Sequence, residues 1–335
     1  MNVVIFHHNT QGLANDAAVL KNCLNFSPSY KISIYTYDER YLYTDEPLDF
    51  TLTPDPDIVI FLEHIHPQLV RHGVRLIFVP NLEWITQSDV KLCKEHHMDI
   101  CAKTPHSYER LCEFFPADRV FFTGWTSIDR QIERSVENEA ADVKEHAALQ
   151  CLHLKGVSKY KGTQQILDIW CNHPEWPTLH IVGWSEGNSN GNIRLPHVVN
   201  VAPNVLLYQY KMDEDALKRL MNTCDIHICP SFSEGFGHYI NEGLSTGAIV
   251  VTTNGFPMNE LVRPEYGFLI PVSETSNVRM GFGYTFTDQS FEETIAKIGK
   301  YASRFKDMSR RSRLSFEESR DIFIKTMSQV IEKSN

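Results

Sequence analysis

The sequence predicts an α/β protein built from two doubly wound domains in series, and three observations carry that reading. At 335 residues the chain exceeds one ordinary core, so two domains are the natural division. Short apolar runs of strand length alternate with longer helical stretches, which argues for parallel sheets covered by helices on both faces. A polar, acidic interval at 127–148, with Glu133, Glu137, Glu139, Asp142 and Glu145, divides this alternation in two.

In the first half, residues 3–6 read as a buried strand, 7–12 as a turn and 13–24 as a helix. Strand, turn and helix in that order place the turn at the carboxyl end of the strand, where ligands bind in such sheets. Further strands are expected at 31–35, 57–62, 75–79, 98–103 and 119–123, and helices at 88–96 and 107–115. The second half repeats the scheme, with strands at 150–154, 178–182, 198–201, 225–229, 249–252 and 267–270. Its helices are expected at 163–171, 213–222, 238–245 and 291–301. A last helix over 309–332 carries Phe316, Ile322, Phe323, Met327 and Ile331, and is long enough to cross between domains. The expected units are therefore 1–148, 149–304 and a crossing segment 305–335.

Composition narrows the class. Hydrophobic residues at 42% and charged residues at 22% are those of a soluble globular protein. A net charge of −10 supplies no general attraction to nucleic acid or anionic lipid. The eight cysteines form no Cys-x-x-Cys pair and lie mostly in apolar runs, as reduced core residues of a cytoplasmic protein do. Residues 1–6 lack the basic and long apolar regions of a signal peptide. No apolar run approaches the ~20 residues of a membrane span, so membrane contact is expected to be peripheral at most. Lys306, Arg310, Arg311 and Arg313 read first as a solvated helix face or an interdomain contact. Docking on anionic lipid or nucleic acid is the sharper alternative for them.

The chemistry concentrates in residues 229–243. A strand runs into Pro230, a Gly-bearing turn follows, and a helix is expected from His238 with Glu242 in its first turn. Glu234 and Glu242 are separated by seven residues. On one continuous helix they would diverge by roughly 80° at 3.6 residues per turn. With Glu234 in the loop, both can face one crevice. Gly235 and Gly237 let backbone N–H groups approach a ligand, and the helix N-terminus favours an anion. Carboxylates for sugar hydroxyls beside amides for phosphate suit a nucleotide-sugar.

Upstream, Lys155, Lys159 and Lys161 fall within seven residues between a strand and a helix, with Gly162 at the helix entry. Three lysines alone describe a solvated loop as well as an anion site. Their position after a strand favours phosphate. Gly183 ends another strand and fits a turn lining the same crevice, while Glu260 follows a later strand as a ligand contact or as the cap of the next helix.

These residues together resemble the signature of retaining GT-B glycosyltransferases of family 4, or group 1. The likeness rests on Pro230-Ser231, Glu234-Gly235-Phe236-Gly237, Glu242-Gly243, Gly247 and Val250-Val251, with Lys161-Gly162 and Glu260 in the family's order. It is specific over about 150–262 and looser elsewhere. Pro80-Asn81-Leu82-Glu83-Trp84 resembles a Pro-Asn-x-Glu-Trp segment of some members and extends it into the first half.

The resemblance implies two Rossmann-like domains facing a cleft, with the donor in the second and the acceptor in the first. It implies transfer with retention, no cofactor and no obligatory metal. By position Glu234, Lys161 and Lys155 are the catalytic candidates, with Glu234 on the donor sugar and the lysines on the diphosphate. Gly235, Phe236, Gly237, His238, Gly183 and Lys159 are expected around the donor, and Glu242 on its ribose. Lys155 is a departure, because members usually carry Arg there and lysine lacks its bidentate fork. Many members also have a Gly-Gly loop near the start and a later histidine close to the reacting sugar. Here Gly12 alone represents the loop, and Asn81 and Glu83 stand near the histidine position. They complete the acceptor side. His7-His8, His64-x-His66 and His96-His97 lack a third ligand at metal-binding spacing, so no metal is expected.

The leading expectation is a glycosyltransferase acting from a nucleoside-diphosphate sugar onto a glycan, lipid-linked, protein or small-molecule hydroxyl. A sugar-nucleotide epimerase and a non-catalytic nucleotide-sugar-binding subunit are the alternatives.

Overall fold

The computed structural model describes residues 1–25, 29–38, 40–41, 55–132, 149–156, 158–183 and 198–333. Its first sheet comprises β1 (Asn2–His8), β2 (Lys31–Tyr37), β3 (Ile58–Leu62), β4 (Arg75–Val79), β5 (Asp99–Ala102) and β6 (Val120–Phe122). Their order is β2-β1-β3-β4-β5-β6, and every pairing is parallel. Because strand side chains alternate, Val4, Phe6, Val59, Phe61 and Phe78 build one apolar layer. Val3, Ile5, Ile58, Ile60 and Ile77 build the other. Burial on both faces explains why β3 and β4 read as unbroken apolar runs. Helices α1 (Gln11–Leu24), α2 (Gln87–Glu95) and α3 (Pro105–Cys112) cover the sheet. Each starts at a threonine, Thr10, Thr86 or Thr104, whose side chain accepts from a backbone N–H of the first turn.

The second sheet comprises β7 (Gln150–Leu154), β8 (Thr178–Val182), β9 (Val198–Ala202), β10 (Val205–Tyr208), β11 (Ile226–Cys229), β12 (Ile249–Thr253) and β13 (Gly267–Ile270). Its order is β13-β12-β11-β7-β8-β10-β9, parallel except for the edge pair β9–β10. Around it lie α4 (Thr163–Cys171), α5 (Glu214–Thr223), α6 (His238–Ser245), α7 (Met258–Leu261) and α8 (Asp288–Ile298). A hairpin, β14 (Glu274–Val278) and β15 (Gly281–Thr285), projects from this domain.

The crossing helix is α9 (Phe305–Glu332). Met308 and Phe316 pack in the second domain, whereas Phe323, Met327, Val330 and Ile331 pack under β1, β3 and β4. Arg313, near the middle, donates to Asp129 at 2.7 and 2.8 Å. Arg310 and Arg311 pair with Asp307 on their own helix. The basic segment is thus a solvated face with one interdomain contact.

Two kinds of difference from the sequence expectation stand out. The terminal helix begins at Phe305 rather than 309, and the helix expected over 291–301 lies at Asp288–Ile298, followed by a 3₁₀ turn. Strand β10 and the hairpin were not expected. Residues 274–278 are Glu-Thr-Ser-Asn-Val, exposed at four of five positions, so no apolar alternation marks them. The interval 127–148 is described only to 132, where the chain runs onto the second domain: Arg130 N donates to Ser245 Oγ at 2.9 Å and Ile132 N to Asn222 Oδ1 at 3.1 Å. The remainder of that interval, and with it the boundary near 148, lies outside the described residues.

Each sheet has a point where strand order reverses, the place where such sheets bind ligands. In the second sheet it lies between β7 and β11, whose ends lead into Lys155 and Pro230. In the first it lies between β1 and β3, which end at His8 and just before Glu63.

Candidate active site

The lysine loop and the Glu-bearing loop meet at the reversal point of the second sheet. Lys161 Nζ lies 2.6 Å from Glu234 Oε1 and 3.5 Å above the Tyr239 ring. Ser231 Oγ donates to the same carboxylate oxygen and lies 2.5 Å from Tyr239 Oη. Both ends of the ion pair are mostly buried, which strengthens it relative to a surface pair. Gly162 permits the approach: it holds φ +66°, and a Cβ there would lie 2.6 Å from the Pro230 carbonyl oxygen. Beneath the loop, burial together with the charges of Lys161 and Lys155 pushes the His153 pKa down to about 4. The neutral ring bonds the Ile228 carbonyl oxygen and Thr163 Oγ1 at 2.8 and 2.7 Å.

Lys155 is half-buried and packs against Gly183, where a Cβ would lie 2.7 Å from its Cδ. Lys159 is exposed beside the Tyr160 ring. Gly237, with φ +105°, forms the N-cap of α6. Glu242 sits in the second turn of α6 rather than the first, because the helix begins at His238. Its carboxylate accepts from Arg130 Nη2 at 3.2 Å and faces Asn15 Nδ2 at 3.4 Å. The Phe236 side chain is buried among the apolar residues of the first domain.

Opposite these groups, a continuous polar chain runs along the carboxyl ends of the first sheet. His8 Nε2 bonds Glu63 Oε1 at 2.8 Å, and Asn81 Nδ2 donates to Glu63 Oε2 at 2.5 Å. Lys103 Nζ donates to Asn81 Oδ1 at 2.8 Å and to Asp16 Oδ2 at 2.6 Å. Asp16 also accepts from Trp125 Nε1 and bonds His238 Nε2 at 2.9 Å, so the chain ends in the second domain. The other His238 nitrogen, Nδ1, bonds Ser127 Oγ at 2.8 Å. His238 therefore ties α6 to the first domain through both ring atoms.

Asn81 presses on Gly235 across the cleft; a Cβ at Gly235 would lie 2.3 Å from Asn81 Oδ1. Glu83 is buried nearby with Oε2 unpartnered. Burial, reinforced by Glu63 and Glu234, pushes its pKa up to about 8, so this carboxyl is neutral at pH 7. The hairpin closes over this loop: Met280 N donates to the Leu82 carbonyl at 3.2 Å, and Arg279 bonds the Trp84 carbonyl and stacks on its ring. On the other flank Glu260 accepts from His106 N at 2.8 Å, so it serves the N-terminus of α3 in the facing domain, not a helix of its own.

The structure thus assembles Glu234, Lys161, Lys155 and Gly183 on one wall and brings Asn81 and Glu83 against Gly235 from the other. Gly12 is not among them. It lies in the first turn of α1 with open space in the Cβ direction. Asn15, Asp16, Lys103 and Arg130 escaped the sequence reading. Asp16 and Lys103 carried a signal: Asp16 is the one charge in the first ten residues of α1, and Lys103 directly follows β5.

Two doubly wound domains with ligand crevices turned toward one another, joined by a crossing C-terminal helix, define the GT-B class. Similar folds include HepE (Alr3699) of Anabaena in complex with UDP and glucose, with a TM-score of 0.63 and 13% identity over 99% of both chains. WaaG, a glycosyltransferase involved in lipopolysaccharide biosynthesis, gives a TM-score of 0.59 at 11% identity over 100% of each chain. The pneumococcal O-GlcNAc transferase GtfA in complex with UDP and GlcNAc gives 0.60 at 18% identity, covering 82% of this chain and 56% of that one. The family model for glycosyl transferases group 1 matches residues 137–304, half of the chain. The chain belongs to that family and is a glycosyltransferase. No curated protein sequence matches it.

Proposed function

We propose that the protein transfers a sugar from a nucleoside-diphosphate sugar to an acceptor hydroxyl with retention at the anomeric carbon. The meeting of Lys161 with Glu234 at the reversal point of the second sheet is the observation that carries this reading. Glu234 presents a carboxylate to the donor sugar's hydroxyls, while Lys161 and Lys155 neutralise the diphosphate. Uridine is the base favoured by the folds of HepE and GtfA, whose structures hold UDP. Glu242, with Arg130 and Asn15 around it, faces the ribose. Asn81 and Glu83 line the acceptor side.

In the reaction the bond from the anomeric carbon to the diphosphate oxygen breaks. The acceptor oxygen bonds that carbon from the same face, and its proton passes to the departing phosphate oxygen. The protein's part is positioned positive charge and a closed cleft. Lysines supply the charge at the diphosphate, so no metal is needed there. Incubation with a panel of labelled UDP-, GDP- and other nucleotide sugars should release nucleotide and transfer the sugar. Glu234→Ala should lower turnover at least about 100-fold, the scale of a lost positioning contact. Full turnover in that variant, or sugar conversion without nucleotide release, would overturn the reading.

A further inference from the structure

The reversal point of the first sheet holds a second constellation, separate from the donor wall. His8 ends β1, while Glu63 and His64 follow β3, so three potential ligands project from adjacent strand ends. All three residues are buried, and one ligand atom from each falls within 4.8 Å of the others. His64 Nδ1 lies 3.1 Å from Asp89 Oδ2, and Asp89 is held in turn by Thr86 and by the Ile65 N–H. That bond fixes the proton on Nδ1 and leaves the Nε2 lone pair of His64 for a ligand. A carboxylate behind a ligating imidazole is the usual support of a metal-bound histidine. His8 bonds Glu63 through Nε2, and its Nδ1 is buried without a partner. Close by, Tyr37 Oη and His66 Nδ1 are also buried and unpartnered. Buried polar atoms are rarely left so without a bound water, ion or ligand.

We infer that His8, Glu63 and His64 form a binding site for a divalent transition ion of the zinc type, with Asp89 orienting His64. Two imidazole nitrogens and a carboxylate oxygen are the donor set of a three-ligand zinc site, which keeps a fourth position for water or a substrate oxygen. Ligand bonds of about 2.0–2.2 Å set tetrahedral ligand atoms about 3.4 Å apart, so an ion would replace the 2.8 Å hydrogen bond between His8 and Glu63 and bring the atoms, now within 4.8 Å, to that spacing. Glu63 is also bonded to Asn81, so an ion here would stiffen the contact between Asn81 and Gly235 across the cleft. Spacing in the sequence hid the site because Glu63 adjoins His64 while His8 lies on another strand.

The test uses the full-length protein without a histidine tag, stripped of metal and titrated with cobalt(II) chloride. One equivalent per chain should bind with visible d–d absorption, and zinc chloride should displace it and raise the melting temperature. His64→Gln, which preserves side-chain length and polarity, should abolish the absorption, and Asp89→Asn should weaken binding about 10- to 100-fold. Circular dichroism and donor-induced thermal shift establish that each variant is folded, independently of the metal. Absence of stoichiometric cobalt binding, or unchanged binding in folded His64→Gln, would overturn the assignment. Neither result bears on the donor site, which the donor titration reads separately.

Discussion

Lys103 Nζ lies 2.6 Å from Asp16 Oδ2 with both side chains 2% exposed, a dry ion pair set where the first domain meets α6 of the second. Burial opposes the ionisation of Asp16, but the Lys103 charge and the His238 ring beside it outweigh burial and hold its carboxyl well below the usual range. Asp16 thus also anchors His238, the first residue of the helix that carries Glu242.

Removal of Lys103 leaves that carboxylate buried without its cation. Lys103→Met should destabilise the protein by roughly 3–5 kcal/mol in urea unfolding, and the double variant with Asp16→Asn should recover part of the loss. Since the folded pKa of Asp16 is depressed, its contribution is present above the unfolded value near 3.8 and declines as pH falls below it. Asp16→Asn should flatten the acid limb of the stability profile. An unchanged profile would mean that the pair contributes nothing.

Glu83 has the opposite sign. Its folded pKa, raised to about 8 from 4.5, makes the folded state bind the extra proton. The stability so conferred is complete below pH 4.5 and is lost as pH rises through 8. The difference corresponds to roughly 3–5 kcal/mol at most. Glu83→Gln, which resembles the neutral acid, should remove this slope from a denaturant series between pH 5 and about 9. Transfer in the parent should fall as Glu83 ionises beside Glu63 and Glu234, and the glutamine variant should not share that fall.

Gly235→Ala tests the closed cleft. The new methyl would meet Asn81 Oδ1, Cγ and Cβ at 2.3, 2.4 and 2.6 Å, too close for a small adjustment. The domains must separate or Asn81 must leave Lys103 and Glu63. Transfer should drop about 100-fold, the scale of a modest misplacement at a reacting centre, and the melting temperature should fall as well, because either response breaks buried contacts. Wild-type kcat/KM in this variant would show that the contact is dispensable.

Chelation separates the two sites. Donor affinity, measured by calorimetry with UDP-sugar in EDTA, should match that in buffer if, as proposed, lysines carry the diphosphate. A tenfold or greater loss that persists in His64→Gln would place a metal at the diphosphate and remove that role from Lys155 and Lys161.

Much of this protein was legible in one dimension. Strands at Arg75–Val79, Gln150–Leu154, Thr178–Val182 and Gly267–Ile270 and the helix Thr163–Cys171 fall where the apolar pattern places them. Period and length encode such elements locally. The two loops that meet at the reversal point of the second sheet were equally readable, since Lys155 to Lys161 and Pro230 to Glu242 are compact segments that follow adjacent strand ends. The hairpin was not, because its residues are mostly exposed and its position is set by contacts with Leu82 and Trp84 of the other domain.

The sequence by itself determined two α/β domains, the crossing helix and the two strand-end loops that carry Lys161 and Glu234. Each depends on local periodicity or on a short motif at a strand end. Tertiary structure alone decided that Asp16, Lys103 and His238 share one buried network, that Glu83 is kept neutral, and that His8 meets Glu63 and His64. Those relationships depend on distance and desolvation between residues far apart in the chain, quantities that exist only once the sheets are paired and the cleft is closed.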